Sequence, residues 1–317
     1  MNLHNFVELC MCPAPLGNEH AAKHLIRSML PNGLEISEDV AGSAIVRKPG
    51  EKPGLTFFAS LSQPVVLVTG KKADGAWELQ PLGTGKTLEP MNGWKVMDSS
   101  GAQAKLEVKD GELRLTEGKG VQIGSLLTRQ PDWTQDALSV SCAGIEDRVG
   151  CWLLTELLRE MPDVKAEITC IFLAQEQHCT KVAELAMNET DAAVAIRLGS
   201  AKVNDINLTC APVNAGGGPV LKLRERYVST DGRLMDLERM ACREAGVPFQ
   251  YEVLELDVTG LYTAQYGHCG VVVGGIDVPA EEGRILLTDL RDTRALVMQL
   301  AANADQIQQA LCSLPAV

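Results

Sequence analysis

Two segments of the chain carry acidic side chains where an α/β protein could use them for chemistry. Glu146 and Asp147 stand at the start of a long apolar segment, in GIEDRVG at 144–150. Glu176 follows a buried-strand pattern directly, in QEQH at 175–178. In α/β sheets, sites form where strands end and the following helices begin. Carboxylates there could act as general bases, although the first two acids could equally stabilise the helix N-terminus through its dipole.

Other motifs are weaker indications of a functional site. GTGKT at 83–87 resembles a phosphate-binding loop, but Gln80 stands where the full pattern needs glycine and Pro90 follows before a helix can form. We therefore expect a loop between strands. His20 and His24 have the i, i+4 spacing of a metal pair, yet no carboxylate ligand set accompanies them, so solvent-facing side chains are expected. The ten cysteines contain no C-x-x-C pair, which favours reduced core residues.

Composition excludes several classes of protein. The 317 residues include 29 Lys+Arg and 41 Asp+Glu, a net charge of −12, which opposes sequence-independent binding to nucleic acid. The 45% hydrophobic content is ordinary for a globular protein. No apolar run approaches the ~20 residues that span a bilayer, and the N-terminal segment lacks a signal-peptide pattern. We expect a soluble, cytoplasmic protein that binds neither membrane nor nucleic acid.

The order of predicted elements indicates how the acids are positioned. Beyond residue 136, strand patterns alternate with helices, which is typical of a sheet covered on both faces. The predicted helices include 18–30, 146–161, 231–245 and a long final one over 290–314. Between them lies a stretch rich in Gly, Pro and Lys, in which Asp110-Gly111 predicts a β-hairpin. We therefore expect an α/β domain formed by residues 1–65 and 136–317, interrupted by a small β domain over 66–135.

Five segments, taken together, resemble one family. They are PAPLGNE at 13–19, TFFASLSQPVVLVTG at 56–70, GIEDRVGC at 144–151, FLAQEQHC at 172–179 and GGGPVLKL at 216–223. In order and spacing they resemble the dinuclear-metal aminopeptidases, which include the tetrahedral, deblocking and glutamyl aminopeptidases and the endoglucanase-M type. The resemblance covers most of the chain. It implies a mixed sheet sandwiched by helices, as in zinc aminopeptidases, with an inserted β-barrel-like domain.

The resemblance also assigns roles to positions. Members of the family hold two metal ions, zinc or cobalt, which polarise a bridging water while a glutamate acts as general base. The base position is Glu176, and Glu146 takes the place of the bridging aspartate. The other ligand positions are occupied by residues that bind such metals poorly, namely Ser60 and Ser62 for His and Asp, Gln177 for Glu, and Arg197 for Asp.

These replacements predict an emptied site. A guanidinium stays charged in essentially any protein environment and repels metal cations. We expect no bound metal and no other cofactor, and we expect Arg197 to take the vacated position and pair with Glu146 and Glu176. Ser62, Asp147 and His178 are expected to line the same pocket.

Three functions remain open at this point. The first is a catalytically inactive, aminopeptidase-like protein with a binding, regulatory or assembly role and a peptide as its expected ligand. The second is an active metal-dependent aminopeptidase that removes N-terminal residues of peptides, with zinc or cobalt held by a rearranged site that recruits His178 or His268. The third is an unrelated α/β binding protein. The resemblance further implies a homo-oligomer, for which we expect a dimer rather than a dodecamer.

Overall fold

The computed structural model describes residues 1–83, 88–176, 179, 181–204, 212–225, 228–254 and 271–312. Its helices are α1 His4–Met11, α2 His20–Met29, α3 Val149–Arg159, α4 Lys181–Asn188, α5 Gly232–Ala245, α6 Leu287–Ala302 and α7 Ala304–Cys312. Its strands are β1 Glu35–Glu38, β2 Ala44–Lys48, β3 Glu51–Ser60, β4 Val65–Lys71, β5 Trp77–Leu82, β6 Lys95–Met97, β7 Gln103–Lys109, β8 Glu112–Lys119, β9 Leu126–Arg129, β10 Thr134–Gln135, β11 Ser139–Ser141, β12 Ala166–Leu173, β13 Ala192–Lys202, β14 Val220–Glu225, β15 Val228–Ser229, β16 Gln250–Leu254, β17 Val272–Glu281 and β18 Arg284–Leu286.

A mixed twelve-stranded sheet forms the larger part of the molecule. Its central strands β12, β3, β13 and β17 are parallel neighbours. Strand β2 runs antiparallel to β12, and β14 and β18 run antiparallel to β17. Every residue of β12 is buried, as expected of a strand covered on both faces. Helix α3 packs on one face of the sheet and α4 on the other. The predicted α/β fold is confirmed.

A second sheet of six strands has the order β5-β4-β9-β6-β7-β8 and closes almost into a barrel. Its small core includes Val68, Leu106 and Leu127. At the predicted hairpin, Asp110 and Gly111 have φ of 54° and 76°, the left-handed conformations that a tight two-residue turn requires. The division of the chain at residues 66 and 135 stays a prediction.

Some predicted elements differ from the observed ones. The helix expected from residue 146 begins at Val149, after a 3-10 turn over Ile145–Asp147. The prediction of one long final helix is wrong, because α6 and α7 are two separate helices. There the Asp305 carboxylate accepts hydrogen bonds from the backbone N–H groups of Lys165 and Ala166, which ties α7 to the start of β12. Of the GTGKT segment, residues 84–87 lie outside the described residues.

Two expectations about surface and core can be compared with the described residues. No helix among them is long and apolar enough to cross a membrane. Five free cysteines are buried, as expected of core residues: Cys10, Cys142, Cys151, Cys170 and Cys242. Cys12 is half-buried, and Cys179 is exposed, contrary to the expectation.

Candidate functional site

The carboxyl ends of three parallel strands gather most of the predicted site. Ser60 ends β3 and lies opposite Leu173, the last residue of β12. Glu176 follows three residues later, and Arg197 lies on β13 opposite Phe58. Gln177, His178 and His268 lie outside the described residues. The strand order therefore places Ser60, Glu176 and Arg197 at one edge of the sheet.

Ser62 is committed to a buried hydrogen-bond network. Its hydroxyl donates to Glu19 Oε1 at 2.6 Å and accepts from the Gln175 backbone N–H at 2.6 Å. The same Glu19 oxygen accepts from the N–H groups of Gly17 and Gln175. Charge-assisted bonds of this kind hold the segments after β3 and β12 together. Ser62 thus acts as a link between loops, and Glu19, which the sequence analysis did not assign to the site, is its anchor.

Glu146 and Asp147 lie on the 3-10 turn that precedes α3. Gly144 begins this turn with a φ of 73°. Glu146 Oε1 accepts a 2.6 Å hydrogen bond from the Gly283 N–H, at the turn between β17 and β18. Burial, together with the charges of Glu146 and Glu176, raises the pKa of Asp147 to about 7. The three acids are therefore close enough to influence one another, and Asp147 can exchange a proton near neutral pH.

The neighbouring Arg148 has a structural role. Its side chain is 1% exposed, and its guanidinium donates to the carbonyls of Leu61 at 2.7 Å and Cys12 at 3.2 Å. It therefore fixes the start of α3 to the segment after β3, which sets the position of the acidic turn.

Arg197 belongs to a buried ionic network that spans four strands. Its Nη1 lies 3.2 Å from Oδ1 of Asp277, which is fully buried on β17. The other oxygen of Asp277 lies 3.0 Å from Nζ of Lys222 on β14, and Glu225 and Glu252 lie 3.2 and 3.9 Å from the same ammonium. Burial alone would lower the pKa of Lys222, but the charges of Asp277 and Glu225 have the larger effect, so the pKa of Lys222 is raised. Burial and the charge of Asp277 raise the pKa of Glu252 to about 7.

The expected pairing of Arg197 needs correction. Its ion pair is with Asp277, whereas Glu146 is held by the backbone N–H of Gly283. Glu176 contributes through its charge, which together with Asp277 keeps the pKa of Arg197 raised despite burial. Asp277 was missed because its partner stands 80 residues away in the chain. An acid directly after the apolar strand pattern VVVGGI at 271–276 was the available signal.

The described residues do not fit a two-metal centre. Within the ranges given above, no group of three or more His, Cys, Asp or Glu is arranged to hold a metal ion. The Ser62 hydroxyl is already bound by Glu19, and the guanidinium of Arg197 occupies a position that the resemblance assigns to a carboxylate ligand. Two divalent ions would add about four positive charges beside Arg197, which only added anions could offset.

A cavity of about 300 Å³ opens beside Glu146. Ser200 and Lys202 from β13 line one wall, and Glu281 at the end of β17 lines another. Pro90, from the six-stranded sheet region, completes it. Pockets of this size accept small ligands, and this one gives the Glu146 side of the site access to solvent.

Comparison with known proteins gives consistent matches. Residues 107–296 match the family model of the M42 glutamyl aminopeptidases. A protein of Acetivibrio thermocellus, named only provisionally as an aminopeptidase, is 23% identical over 282 residues, which cover 83% of this chain and 86% of that protein. The TET aminopeptidase of a marine sediment archaeon of the Thaumarchaeota has a TM-score of 0.87 at 16% identity, over 97% of this chain and 98% of that one. The TET1 peptidase of Pyrococcus horikoshii, which can assemble into a tetrahedron or a large octahedral shell, has a TM-score of 0.81 at 17% identity, over 94% and 98%.

Proposed function

Because this chain belongs to the M42 glutamyl aminopeptidase family, we propose that it is a peptide-binding relative that lacks two-metal peptidase chemistry. Its role is then binding, regulation or assembly rather than hydrolysis. The expectation of an unrelated α/β protein is wrong, since the family model matches more than half of the chain. The observation that carries the proposal is the ion pair of Arg197 with the buried Asp277.

Electrostatics supports this reading. Arg197 cannot lose its proton, and its pairing with a fully buried carboxylate fixes the positive charge inside the site. Expelling it to admit a metal would leave Asp277 with Lys222 as its nearest cation, and breaking a buried pair costs roughly 3–5 kcal/mol. The network therefore favours the metal-free state of the site.

The acids that remain suit a positively charged ligand group. Besides burial, the charges of Glu146 and Glu176 both raise the pKa of Asp147, so the two carboxylates lie close to it and form an anionic pole. The ammonium at the N-terminus of a peptide is the complementary group, and a charge-assisted hydrogen bond to a carboxylate is among the stronger polar contacts. We therefore propose that the site binds peptide N-termini.

An active aminopeptidase is the second candidate. Glu176 stands at the general-base position and is 8% exposed, and Asp147 has a pKa of about 7, which suits proton transfer at neutral pH. In that case zinc or cobalt would be held by a rearranged site that includes His178 or His268.

Metal retention separates the two candidates. After incubation with zinc or cobalt and dialysis, we expect less than roughly 0.1 ion per chain, because genuine ligand sets retain such ions. One or two retained ions would contradict the proposal. Release of N-terminal residues from peptides should also be absent, and activity that Glu176→Ala abolishes would establish the second candidate.

Assembly and location form part of the same proposal. Relatives such as the TET1 peptidase of Pyrococcus horikoshii build closed shells, and we propose a homo-oligomer here, a dimer rather than a dodecamer. Light scattering with size exclusion tests this, and a single 34 kDa species would contradict it. The buried free thiols support a reducing, cytoplasmic location, which cell fractionation can test.

A further inference from the structure

A second cavity beside the acidic turn carries the opposite charge. Its volume is about 350 Å³, and its lining combines strand ends of the six-stranded sheet with the segment that leads into the turn: Gly93, Trp94, Lys95, Arg129, Gln130, Pro131, Asp132 and Ala143. Lys95 and Arg129 are its two cations. Its one acid, Asp132, accepts a 2.8 Å hydrogen bond from the Ala143 N–H. The cavity is therefore a cationic site.

The two cations are held on neighbouring strands. In the pairing of β6 with β9, Val96 lies opposite Arg129, and the Gln130 N–H donates to the Lys95 carbonyl at 2.8 Å. The Arg129 guanidinium carbon lies 4.5 Å from the ring centroid of Trp94, a cation–π contact. A guanidinium stacked on a ring by its face keeps N–H donors at its edge, which match the geometry of a carboxylate.

The cationic cavity adjoins the anionic pole. Ala143 lines the cavity, and the chain continues from it through Gly144 to Glu146 and Asp147. A Cβ atom built on Gly144, the residue after Ala143, would lie 3.6 Å from Asp147 Oδ2, so this carboxylate lies beside the segment that lines the cavity. A ligand with opposite charges at its two ends could therefore contact both poles.

We propose that Arg129 and Lys95 bind the C-terminal carboxylate of a short peptide whose N-terminal ammonium lies at Glu146, Asp147 and Glu176. This inference rests on the proposed peptide-binding function and narrows the ligand to short peptides with both termini free. Blocking either terminus removes one charge and should weaken binding, each through a different group of residues.

Calorimetric titration of the full chain with trialanine, trialanine amide and N-acetyltrialanine tests the inference, with mass spectrometry to show that the peptides stay intact. We expect the amide to bind at least about tenfold more weakly than trialanine, since hydrogen bonds between charged groups are worth more than neutral ones. In Arg129→Gln the difference between trialanine and its amide should shrink, because Lys95 remains, and in the double variant Arg129→Gln/Lys95→Gln it should disappear. Arg114→Gln is the matched control, because Arg114 lies on β8, where its guanidinium lies 3.9 Å from Asp110 and from Glu112, and it does not line the cavity.

The outcomes are distinct. Equal affinities of trialanine and its amide would overturn this inference, as would a difference that is undiminished in a folded Arg129→Gln variant. The peptide-binding function would survive either result. If none of the three peptides binds, the peptide-binding function falls, and the inference falls with it. Unchanged thermal unfolding of Arg129→Gln shows that its loss of discrimination reflects the missing guanidinium.

Discussion

Replacing Arg197 by methionine tests the ionic network on which the proposed function depends. The change removes the guanidinium that lies 3.2 Å from Asp277 and keeps an apolar stem of similar length. At an effective dielectric constant of about 20, two unit charges at this separation attract by about 5 kcal/mol. Part of this lost attraction is offset, because folding no longer has to desolvate the guanidinium. Since Lys222 still neutralises Asp277, we expect the free energy of unfolding to fall by about 3 kcal/mol.

A double-mutant cycle isolates the pair. Urea unfolding is measured for wild type, Arg197→Met, Asp277→Asn and the double variant, and the coupling energy should exceed about 1 kcal/mol. Lys52→Met serves as control, because the pair of Lys52 with Asp191 lies on the surface and should add no measurable stability. A coupling energy near zero, or a loss no larger than that of the control, would refute the view that Arg197 fixes positive charge in the site.

Three further predictions concern other parts of the molecule. Glu238 on α5 is fully buried, neither carboxyl oxygen has a hydrogen-bond partner within the described part of the chain, and burial raises its pKa from 4.5 to about 8. The contribution of Glu238 to the free energy of unfolding should therefore be greatest below pH 4.5 and should fall by up to roughly 5 kcal/mol as the pH rises to 8. Glu238→Gln should remove that part of the pH dependence of urea unfolding. In Gly150→Ala, the new Cβ would clash with the Leu198 carbonyl oxygen, so we expect the free energy of unfolding to fall by about 1–3 kcal/mol. Gly232→Ala, with nothing within 4 Å of the new Cβ, should be tolerated, and thermal unfolding of both variants tests this. Arg197→Asp should retain more zinc after dialysis than Arg197→Asn, because it adds a carboxylate beside Glu176; equal retention would contradict the assigned ligand position.

Local patterns in the sequence were sufficient for much of the fold. Strand patterns and the Asp110-Gly111 turn depend on residues close together in the chain, so their positions could be predicted. Helix α1 was missed because its eight residues are stabilised by packing of Phe6 on Trp152 rather than by a strong local pattern. The break at Asn303 depends on Asp305 binding the start of β12, which no local pattern indicates.

The site could be predicted only in part for the same reason. Motif order located Glu146, Glu176 and Arg197, but not their partners. Which residue neutralises Arg197 depends on the strand that lies beside β13, and the parallel register with β17 puts Asp277 there, opposite Gly199. Such a partner becomes visible only when strand order is known.

Four carboxyl groups of the predicted site and of the Arg197 network are each accommodated by a different means. Glu146 accepts a backbone N–H from Gly283, and Asp277 is neutralised by two buried cations. The charge of Glu176 acts on Arg197, and Asp147 has a pKa close to neutrality, so a large fraction of it carries no charge at pH 7. Because leaving a buried charge uncompensated costs several kcal/mol, loss of the metal ligands alone would destabilise this region. The observed arrangement avoids that cost, which supports the proposal of a binding site that needs no metal.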